Sequence, residues 1–313
     1  AVRAPLKTTD DADTICCEGD GFTLLFDRRA GTLSRWVAGG TELVTRGPLG
    51  QFWRAPTDND GGRRGCGVQQ EWRAHGLHAL MSRIDSVELT RPARNEAVVT
   101  VHARLGGPVV KVGIDVTYTY TVLASGEVRL AFSGAPTGEW KTIWPRIGVA
   151  LRLPAELERV QWYGLGPGES YSDSRDGVRL GHWSATVDDL FFNYVFPQEN
   201  GNRTDTRWLA LADAYGRGLL AAAAQPFNFS AHRYDVMDLT RADHTTDLAP
   251  REWIALNLDL EQTGLGSNSC GPRAWPEYEL KPQPFVFDIR LRPICLERDN
   301  PMKIARQMIA GNR

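Results

Sequence analysis

Apolar runs long enough to cross a membrane are missing from the sequence, since none approaches the roughly 18 residues that a spanning helix needs. The first residues also lack the apolar core of a secretory signal. There is no excess of positive charge either: 36 Lys and Arg stand against 38 Asp and Glu, for a net charge of −2. Because a nucleic-acid-binding surface is normally basic, we expect neither a nucleic acid nor a membrane as a partner.

Cysteine is scarce, and its five copies do not form a recognisable pattern. Cys16 and Cys17 are adjacent, whereas a disulfide framework normally uses an even number of separated cysteines. No two cysteines have the spacing of a zinc site. We therefore predict reduced thiols, a cytoplasmic location and no metal site in this chain.

Short alternating runs dominate what the sequence does contain. The 313 residues are 42% hydrophobic and 24% charged, a globular composition that can bury a substantial core. Apolar and polar residues alternate with a period of two between Gly and Pro breaks, which indicates half-buried strands. The clearest runs are residues 22–26, 33–37, 97–103, 111–123, 127–132, 253–260 and 285–291.

Helical patterns are few. They cover residues 66–75, residues 235–243 and a segment in which Asn300 and Pro301 form a typical helix start. Many strands with so few helices predict an all-β sandwich of antiparallel sheets. We expect one domain over residues 1–313, with its core at about 20–292 and a terminal helix at about 300–310.

Polar and aromatic residues concentrate in four segments. The first, FWRAPTDND at residues 52–60, begins like a calcium loop, but Arg63 and Gln69 stand where that loop requires Gly and Glu. Two interpretations remain open. The carboxylates and amides suit sugar hydroxyls, and they equally suit a turn locked by Asp and Asn side chains.

The second segment, WYGLGPGESY at residues 162–171, has no phosphate-loop Lys and no dinucleotide spacing, so its glycines predict a tight loop between strands. The third, YVFPQENGNR at residues 194–203, places an acid and amides beside aromatics, as carbohydrate sites do. Alternatively, Glu199 pairs with Arg203 or Arg207 and fixes a buried loop. We expect Glu199, Asn200 and Arg203 to be buried and hydrogen-bonded to one another.

The fourth segment, GLGSNSCGP at residues 264–272, is rich in small residues. Such a segment lets the backbone approach a ligand closely, or it is a plain surface loop. Cys270 has no neighbouring His, which argues against a thiol nucleophile. Glycoside hydrolysis needs two opposed carboxylates, and Glu169 and Glu199 are candidates that spacing alone does not place opposite each other.

The segments at 52–60, 162–171 and 194–201, together with FNFS at 227–230, occur in an order that resembles the C-terminal domain of the family 2 β-galactosidases. The resemblance extends from near residue 20 to near residue 292. It implies a galactose-mutarotase-like supersandwich, the last domain of a retaining hydrolase of terminal β-D-galactosides. It also implies that the catalytic glutamates belong to a (β/α)₈ barrel, for which this chain has no pattern.

The resemblance therefore implies a non-catalytic role: bracing the barrel and completing one wall of the galactoside site. No catalytic residue and no cofactor are expected in this chain, because the family's magnesium and sodium are held mainly by the barrel. The implied partners are a β-galactoside or galactose, the barrel and the other domains of the parent enzyme, which can itself be a homo-oligomer. Two alternatives stay open: a free-standing carbohydrate-binding module, or an aldose 1-epimerase-like enzyme that uses His232 and Glu199.

The resemblance also implies candidate site residues. In some family members a loop of this domain offers a Trp to the sugar, and that loop matches residues 264–271, where Cys270 and Gly271 stand in place of the Trp. The expected substrate-binding residues are Ser267, Asn268, Cys270 and Trp275. A polar cluster is expected on the concave face of the sandwich, formed by Arg54, Asp58, Asn59, Glu199, Asn200, Arg203, Arg207 and His232.

Overall fold

A small antiparallel sheet is formed by the first strands of the chain. The computed structural model describes residues 5–61 and 67–310, with side chains up to Gln307. In β3, Phe22, Leu24 and Phe26 are buried on alternate positions, as the sequence predicts. The five strands are neighbours in sequence and in space: β1 (Lys7–Asp10), β2 (Thr14–Gly19), β3 (Phe22–Asp27), β4 (Thr32–Ala38) and β5 (Thr41–Val44).

A second, larger antiparallel sheet contains twelve strands of the described chain. Its main path runs β13-β12-β14-β15-β17-β10-β9-β8-β7, and a side arm runs from β15 through β16 and β11 to β6. The strands are β6 (Arg46–Gln51), β7 (Met81–Ala93), β8 (Glu96–Gly106), β9 (Gly113–Leu123), β10 (Val128–Thr137), β11 (Arg146–Pro154), β12 (Arg159–Gly166), β13 (Arg179–Thr186), β14 (Arg203–Ala212), β15 (Arg217–His232), β16 (Trp253–Gln262) and β17 (Phe285–Cys295).

Strand β15 joins the two arms of this sheet. Its first half, residues 217–222, pairs with β17, and its last half, residues 228–232, pairs with β16. Pro226 lies between the two paired stretches, where no ladder hydrogen bond is needed from its nitrogen. The predicted all-β architecture of antiparallel sheets is confirmed.

Four α-helices are present in the described residues: α1 (Val68–Ala74), α2 (Val187–Leu190), α3 (Val236–Arg241) and α4 (Pro301–Ala310). The predicted helices at 66–75 and 235–243 correspond to α1 and α3, while Cys66 lies outside the described residues. Asn300 caps α4, as predicted, because its Oδ1 accepts a hydrogen bond from the backbone N–H of Lys303 at 3.0 Å. No helix in the described part of the chain is long and apolar enough to span a membrane.

The prediction of a tight glycine loop over residues 162–168 is wrong for most of that segment. Residues 162–166 belong to β12, where residues alternate between buried and partly buried positions. A Cβ on Gly164 would lie 2.8 Å from Thr206 Cα, and one on Gly166 would lie 2.8 Å from the Trp183 ring. These glycines allow close packing of neighbours, so glycine indicates crowding here and not a turn.

Four loops meet at one end of the side arm, next to an aromatic part of the core. Phe52 contacts Trp144 edge-to-face, with ring centroids 5.3 Å apart. Beyond β16, Thr263 Oγ1 donates to the Trp144 carbonyl at 2.6 Å, and Glu199 N donates to the Ala55 carbonyl at 3.1 Å. Ser170 N also donates to the Asn202 carbonyl at 2.8 Å, so these contacts bring together the loops at residues 52–61, 167–178, 191–202 and 263–284.

Candidate functional site

An exposed loop, which we call the lip (residues 264–275), follows β16 at this meeting point. Two backbone amides at its start donate to the carboxylate of Asp173: Leu265 N at 2.9 Å and Gly266 N at 2.7 Å. Gly266 has a φ of 63°, and a Cβ there would lie 2.4 Å from the nitrogen of Ala274. The lip is therefore fixed at its base and requires glycine where its two ends approach each other.

The four predicted substrate-binding residues all belong to the lip and are exposed: Ser267, Asn268, Cys270 and Trp275. Ser267 shapes the turn, since its carbonyl accepts from Gly271 N at 2.6 Å and its Oγ donates to the Pro272 carbonyl at 3.2 Å. The Trp275 side chain is 63% exposed. Contact between these residues and a sugar stays a prediction.

Asp58 and Asn59 lie at the edge of the lip and not in the buried cluster. Asn59 binds the lip at two points: its Nδ2 donates to the Gly266 carbonyl at 2.7 Å, and its Oδ1 accepts from Ser269 N at 3.1 Å. Asp58 is exposed, and its backbone nitrogen donates to Gln198 Oε1 at 3.2 Å. The two residues connect the lip to the loop that precedes Glu199.

Arg54 is fully buried and binds both oxygens of the Asp60 carboxylate. Its Nε donates to Oδ2 at 3.0 Å and its Nη2 to Oδ1 at 2.7 Å. The same guanidinium donates to the carbonyls of Thr263 and Gly264 at the start of the lip. Asp60 Oδ2 also accepts from Thr57 N at 3.0 Å, so the interpretation of residues 52–60 as a turn locked by side chains describes this segment.

Glu199 belongs to a buried group that we call the Arg146 cluster: Arg146, Glu199, Asp259 and Gln262. Arg146 Nη2 donates to Glu199 Oε1 at 3.3 Å and to Asp259 Oδ2 at 2.9 Å. Gln262 Nε2 donates to the same Asp259 oxygen at 2.8 Å. One cation is thus shared by two carboxylates that are shielded from solvent.

The partners predicted for Glu199 are wrong, although its burial and that of Asn200 and Arg203 are as expected. Arg203 donates to backbone carbonyls instead, including that of Leu190 at 3.0 Å. Arg207 is partly exposed and donates to the carbonyl of Asp205. Both arginines are used by nearby backbone oxygens, so neither is available to the carboxylate.

Asn200 holds the loop at residues 191–198 in place. Its Oδ1 accepts from Phe192 N at 3.0 Å, and its Nδ2 donates to the Gln198 carbonyl at 3.0 Å. Neither contact reaches Glu199 or Arg203. The expected mutual hydrogen bonding of these three residues is therefore absent from the bonds made by the described residues, and each of them stabilises a different piece of backbone.

His232 is also buried, and its Nε2 donates to the Asn200 carbonyl at 3.0 Å. Burial lowers the pKa of His232 to about 4, so the imidazole is neutral at physiological pH. No hydrogen bond between described atoms joins it to Glu199. The pair proposed for an epimerase-like reaction is not assembled by direct contact.

Burial controls the charges of the Arg146 cluster. It raises the pKa of Asp259 to about 6 despite the neighbouring Arg146. It also raises the pKa of Glu199, against the attraction of Arg146 and Arg54. Removing a carboxylate from water disfavours its charged form, so this cluster tends to retain a proton as the pH falls towards 6.

Glu169, the other carboxylate considered for glycoside hydrolysis, is used structurally. It accepts hydrogen bonds from the Tyr194 hydroxyl and, at 2.7 Å, from Gly201 N. Glu199 is bound to Arg146, so neither acid is free to act on a substrate in this arrangement. Among the described residues, no three His, Cys, Asp or Glu side chains are grouped to hold a metal ion.

Arg146 and Asp259 are the residues that sequence reasoning missed. Both lie in strands, and they are separated by 113 positions in the chain. The local pattern gives no signal for them, because Asp259 alternates with leucines in β16 and Arg146 precedes the alternating apolar residues of β11. Alternation of this kind predicts a solvent-facing position, whereas the structure buries both faces of these strands here.

A family model described as "Beta galactosidase small chain" matches residues 18–291. The chain is 32% identical to a β-galactosidase of Halalkalibacterium halodurans over 298 residues, which covers 92% of the chain and 28% of that protein. It is 31% identical to a β-galactosidase of Kluyveromyces lactis over 291 residues, which covers 91% of the chain and 28% of that protein. The chain thus spans about a quarter of the length of these relatives.

Solved structures similar to this chain include a galactose 1-epimerase from Lactobacillus acidophilus, with a TM-score of 0.45, 10% identity and coverage of 92% of this chain and 98% of that one. A GalM/aldose epimerase homologue from C. elegans has a TM-score of 0.46, 12% identity and coverage of 93% and 99%. Structural similarities this weak do not support any conclusion about function. The sequence match covers most of the chain, and the chain belongs to the β-galactosidase small-chain family.

Proposed function

We propose that this chain is the non-catalytic part of a β-galactosidase, which braces the catalytic part and supplies one wall of the galactoside site. The observation that carries the proposal is the family match over residues 18–291, combined with a span of only about a quarter of the full-length relatives. The structural use of Glu169 and Glu199 agrees with this role, because both candidate acids already have partners. The substrate we propose for the assembled enzyme is a terminal β-D-galactoside.

The lip is the part that we propose to face the sugar. Its base is fixed by Asp173 and Asn59, while its tip exposes Asn268 and Cys270. A loop that is ordered before binding loses little conformational entropy when a ligand arrives. The lip is therefore suited to form a wall of the galactoside site, where it would position the substrate for chemistry performed by the catalytic part.

A neighbouring apolar surface is the contact that we propose with the catalytic part. Phe192, Tyr194 and Val195 are 37%, 41% and 88% exposed, although they lie in one short loop. Gln198 connects this loop to Asp58 beside the lip. Adjacent exposed apolar side chains mark an interaction surface, and docking here would leave the lip at the edge of the contact.

We also propose that the assembled enzyme works in the cytoplasm. Cys270 is an exposed free thiol, and Cys16 and Cys295 are partly exposed free thiols. Accessible thiols persist most readily in a reducing compartment.

Purified alone, the chain should not hydrolyse a chromogenic galactoside above the buffer rate, because Glu169 and Glu199, the two candidate acids, are both bound by other residues. Co-expressed with the H. halodurans enzyme from which the matching 28% has been deleted, it should co-purify and restore activity. The deleted relative's own segment, supplied in the same way, is the positive control. A turnover of about 1 per second or more by the chain alone, or failure to associate while the control succeeds, would contradict the proposal.

Asn268→Ala in the reconstituted enzyme should raise KM about fivefold while kcat changes less than twofold, because the lip holds substrate without taking part in the chemistry. Loss of one hydrogen bond of about 1 kcal/mol corresponds to that change. Asn95→Ala, in the β7–β8 turn, is the matched control and should leave both constants unchanged. Calorimetry on the isolated chain should give a galactose Kd of about 1 mM or weaker, whereas a micromolar Kd would favour a free-standing binding module.

A further inference from the structure

Two arginines face each other across neighbouring strands of the side arm without a carboxylate between them. Arg46 in β6 and Arg152 in β11 are register partners, and both line a cleft of about 420 Å³. Like charges directly opposite each other destabilise a sheet. Among residues 5–61 and 67–307, no Asp or Glu forms an ion pair with either guanidinium.

Another cross-strand arginine pair in the same sheet shows how the fold neutralises such repulsion. Arg129 in β10 and Arg290 in β17 are register partners, and Glu127 accepts from both, at 3.4 Å and 3.5 Å. The Arg46–Arg152 pair lacks this bridging carboxylate. Its positive charge is therefore available to a group from outside the chain.

The cleft lining includes one acid, Asp235, against the two arginines, so it keeps an excess of positive charge. The Asp235 carboxylate caps α3, because its Oδ1 accepts from Met237 N at 2.9 Å and from Asp238 N at 3.0 Å. Asp238 forms an ion pair with Arg251. Burial, followed by the charges of Arg46 and Arg251, lowers the pKa of Arg152, whereas Asp235 and Asp238 act in the opposite direction.

The other residues that line the cleft are suited to contact a small ring-shaped ligand such as a monosaccharide. The Arg152 guanidinium stacks on Trp253 with its central carbon 4.1 Å from the ring centroid, which holds the cation in a fixed position. Leu49 and Met237 supply apolar walls, and the amide of Asn257 adds a polar group. The volume is in the range of small-molecule sites, which combine apolar walls with a few polar groups.

We propose that this cleft binds a small ligand that carries an oxyanion, a phosphorylated or carboxylated monosaccharide, with the phosphate or carboxylate between Arg46 and Arg152. Planar guanidinium groups match the geometry of both oxyanions. The cleft is separate from the lip, because none of its lining residues lies within residues 264–275. It is also separate from the Arg146 cluster, since Arg152 is six residues along β11 from Arg146, about 20 Å at the rise of a strand. The site is thus independent of the proposed galactoside wall.

The test follows the indole N–H signal of Trp253 in ¹⁵N-labelled chain, assigned with Trp253→Phe. Inorganic phosphate, galacturonate and galactose are titrated at constant ionic strength against the parent, Arg46→Met and Arg152→Met. Arg129→Met is the matched control, because it removes a cross-strand arginine whose partner keeps Glu127. Thermal melts without added anion check folding, and Arg46→Met should melt no lower than the parent since it removes a repulsion.

Phosphate and galacturonate should shift the Trp253 signal saturably, and galactose should not. Each cleft variant should weaken phosphate binding at least tenfold, while Arg129→Met should change it less than twofold. Tighter binding of galacturonate than of phosphate would support a carboxylated sugar, and the reverse would support a phosphorylated one. The proposal is overturned if neither anion shifts the signal of the folded parent, or if Arg129→Met weakens binding as much as the cleft variants.

Discussion

Arg146→Met should lower the free energy of unfolding by about 3–5 kcal/mol, measured by urea denaturation at pH 8, because it leaves two buried carboxylates without their cation. Glu199 and Asp259 share Arg146 Nη2, and the side chains of Arg146 and Asp259 have no exposed surface. Methionine keeps much of the volume of the arginine stem, so the loss reports mainly on charge. Arg104→Met, which breaks the more exposed pair with Asp115, is the control and should cost about 1 kcal/mol or less.

The effect of Arg146→Met should also depend on pH. The pKa of Asp259 is raised to about 6 by burial, so the folded state binds more protons than the unfolded state between about pH 4 and 6, and stability falls as the pH rises through that range. Removing Arg146 takes away the charge that favours ionisation of Asp259, which raises the folded-state pKa further and extends this loss of stability to higher pH. The difference in stability between parent and variant should therefore be larger at pH 8 than at pH 5. Equal differences at the two pH values, or a loss below 1 kcal/mol, would contradict the assignment.

Arg54→Met should have the second large effect, with a loss of about 3 kcal/mol in unfolding free energy and faster hydrogen exchange in the lip. The buried carboxylate of Asp60 would lose its bidentate partner. The carbonyls of Thr263 and Gly264 would also lose a donor, which loosens the base of the lip. The exchange rates of the Leu265 and Gly266 amides report this loosening directly.

Arg273→Met is the matched control for Arg54→Met, because Arg273 lies within the lip itself but is exposed. Its ion pairs with Glu71 and Glu279 are both 3.8 Å long, so their removal should change stability by less than about 1 kcal/mol. If the two variants unfold at the same urea concentration, the buried pair does not anchor the lip. If Arg54→Met lowers stability while hydrogen exchange in the lip is unchanged, Arg54 does not hold the base of the lip.

Local patterns in the sequence predict the elements of this fold well. Alternation identifies β3 and β9 because a half-buried strand must place apolar residues on every second position. Asn300 and Pro301 identify the start of α4 for an equally local reason: the cap and the helix are adjacent in the chain. The turn at residues 57–60 is predictable for the same reason, because Asp60 accepts a hydrogen bond from Thr57, only three residues away.

Pairings between distant segments are what the sequence does not reveal. Glu199 binds Arg146, 53 positions away, while two nearer arginines are taken up by backbone carbonyls. Composition around Glu199 indicates that a buried acid needs a cation, but only the strand register decides which one supplies it. Gly164 is a second example of a long-range requirement. Its position has no room for a Cβ because the backbone of Thr206, in a neighbouring strand, lies too close.

The position of β17 has a consequence for how the chain folds during synthesis. This strand is the last of the sheet to be translated, yet it lies between β15 and β10 in the hydrogen-bonded order. Until residues 285–295 leave the ribosome, β15 and β10 expose unpaired backbone edges, which are templates for association with other chains. The sheet therefore closes only after residues 285–295 have been made, and a nascent product that stops before β17 would be prone to aggregate.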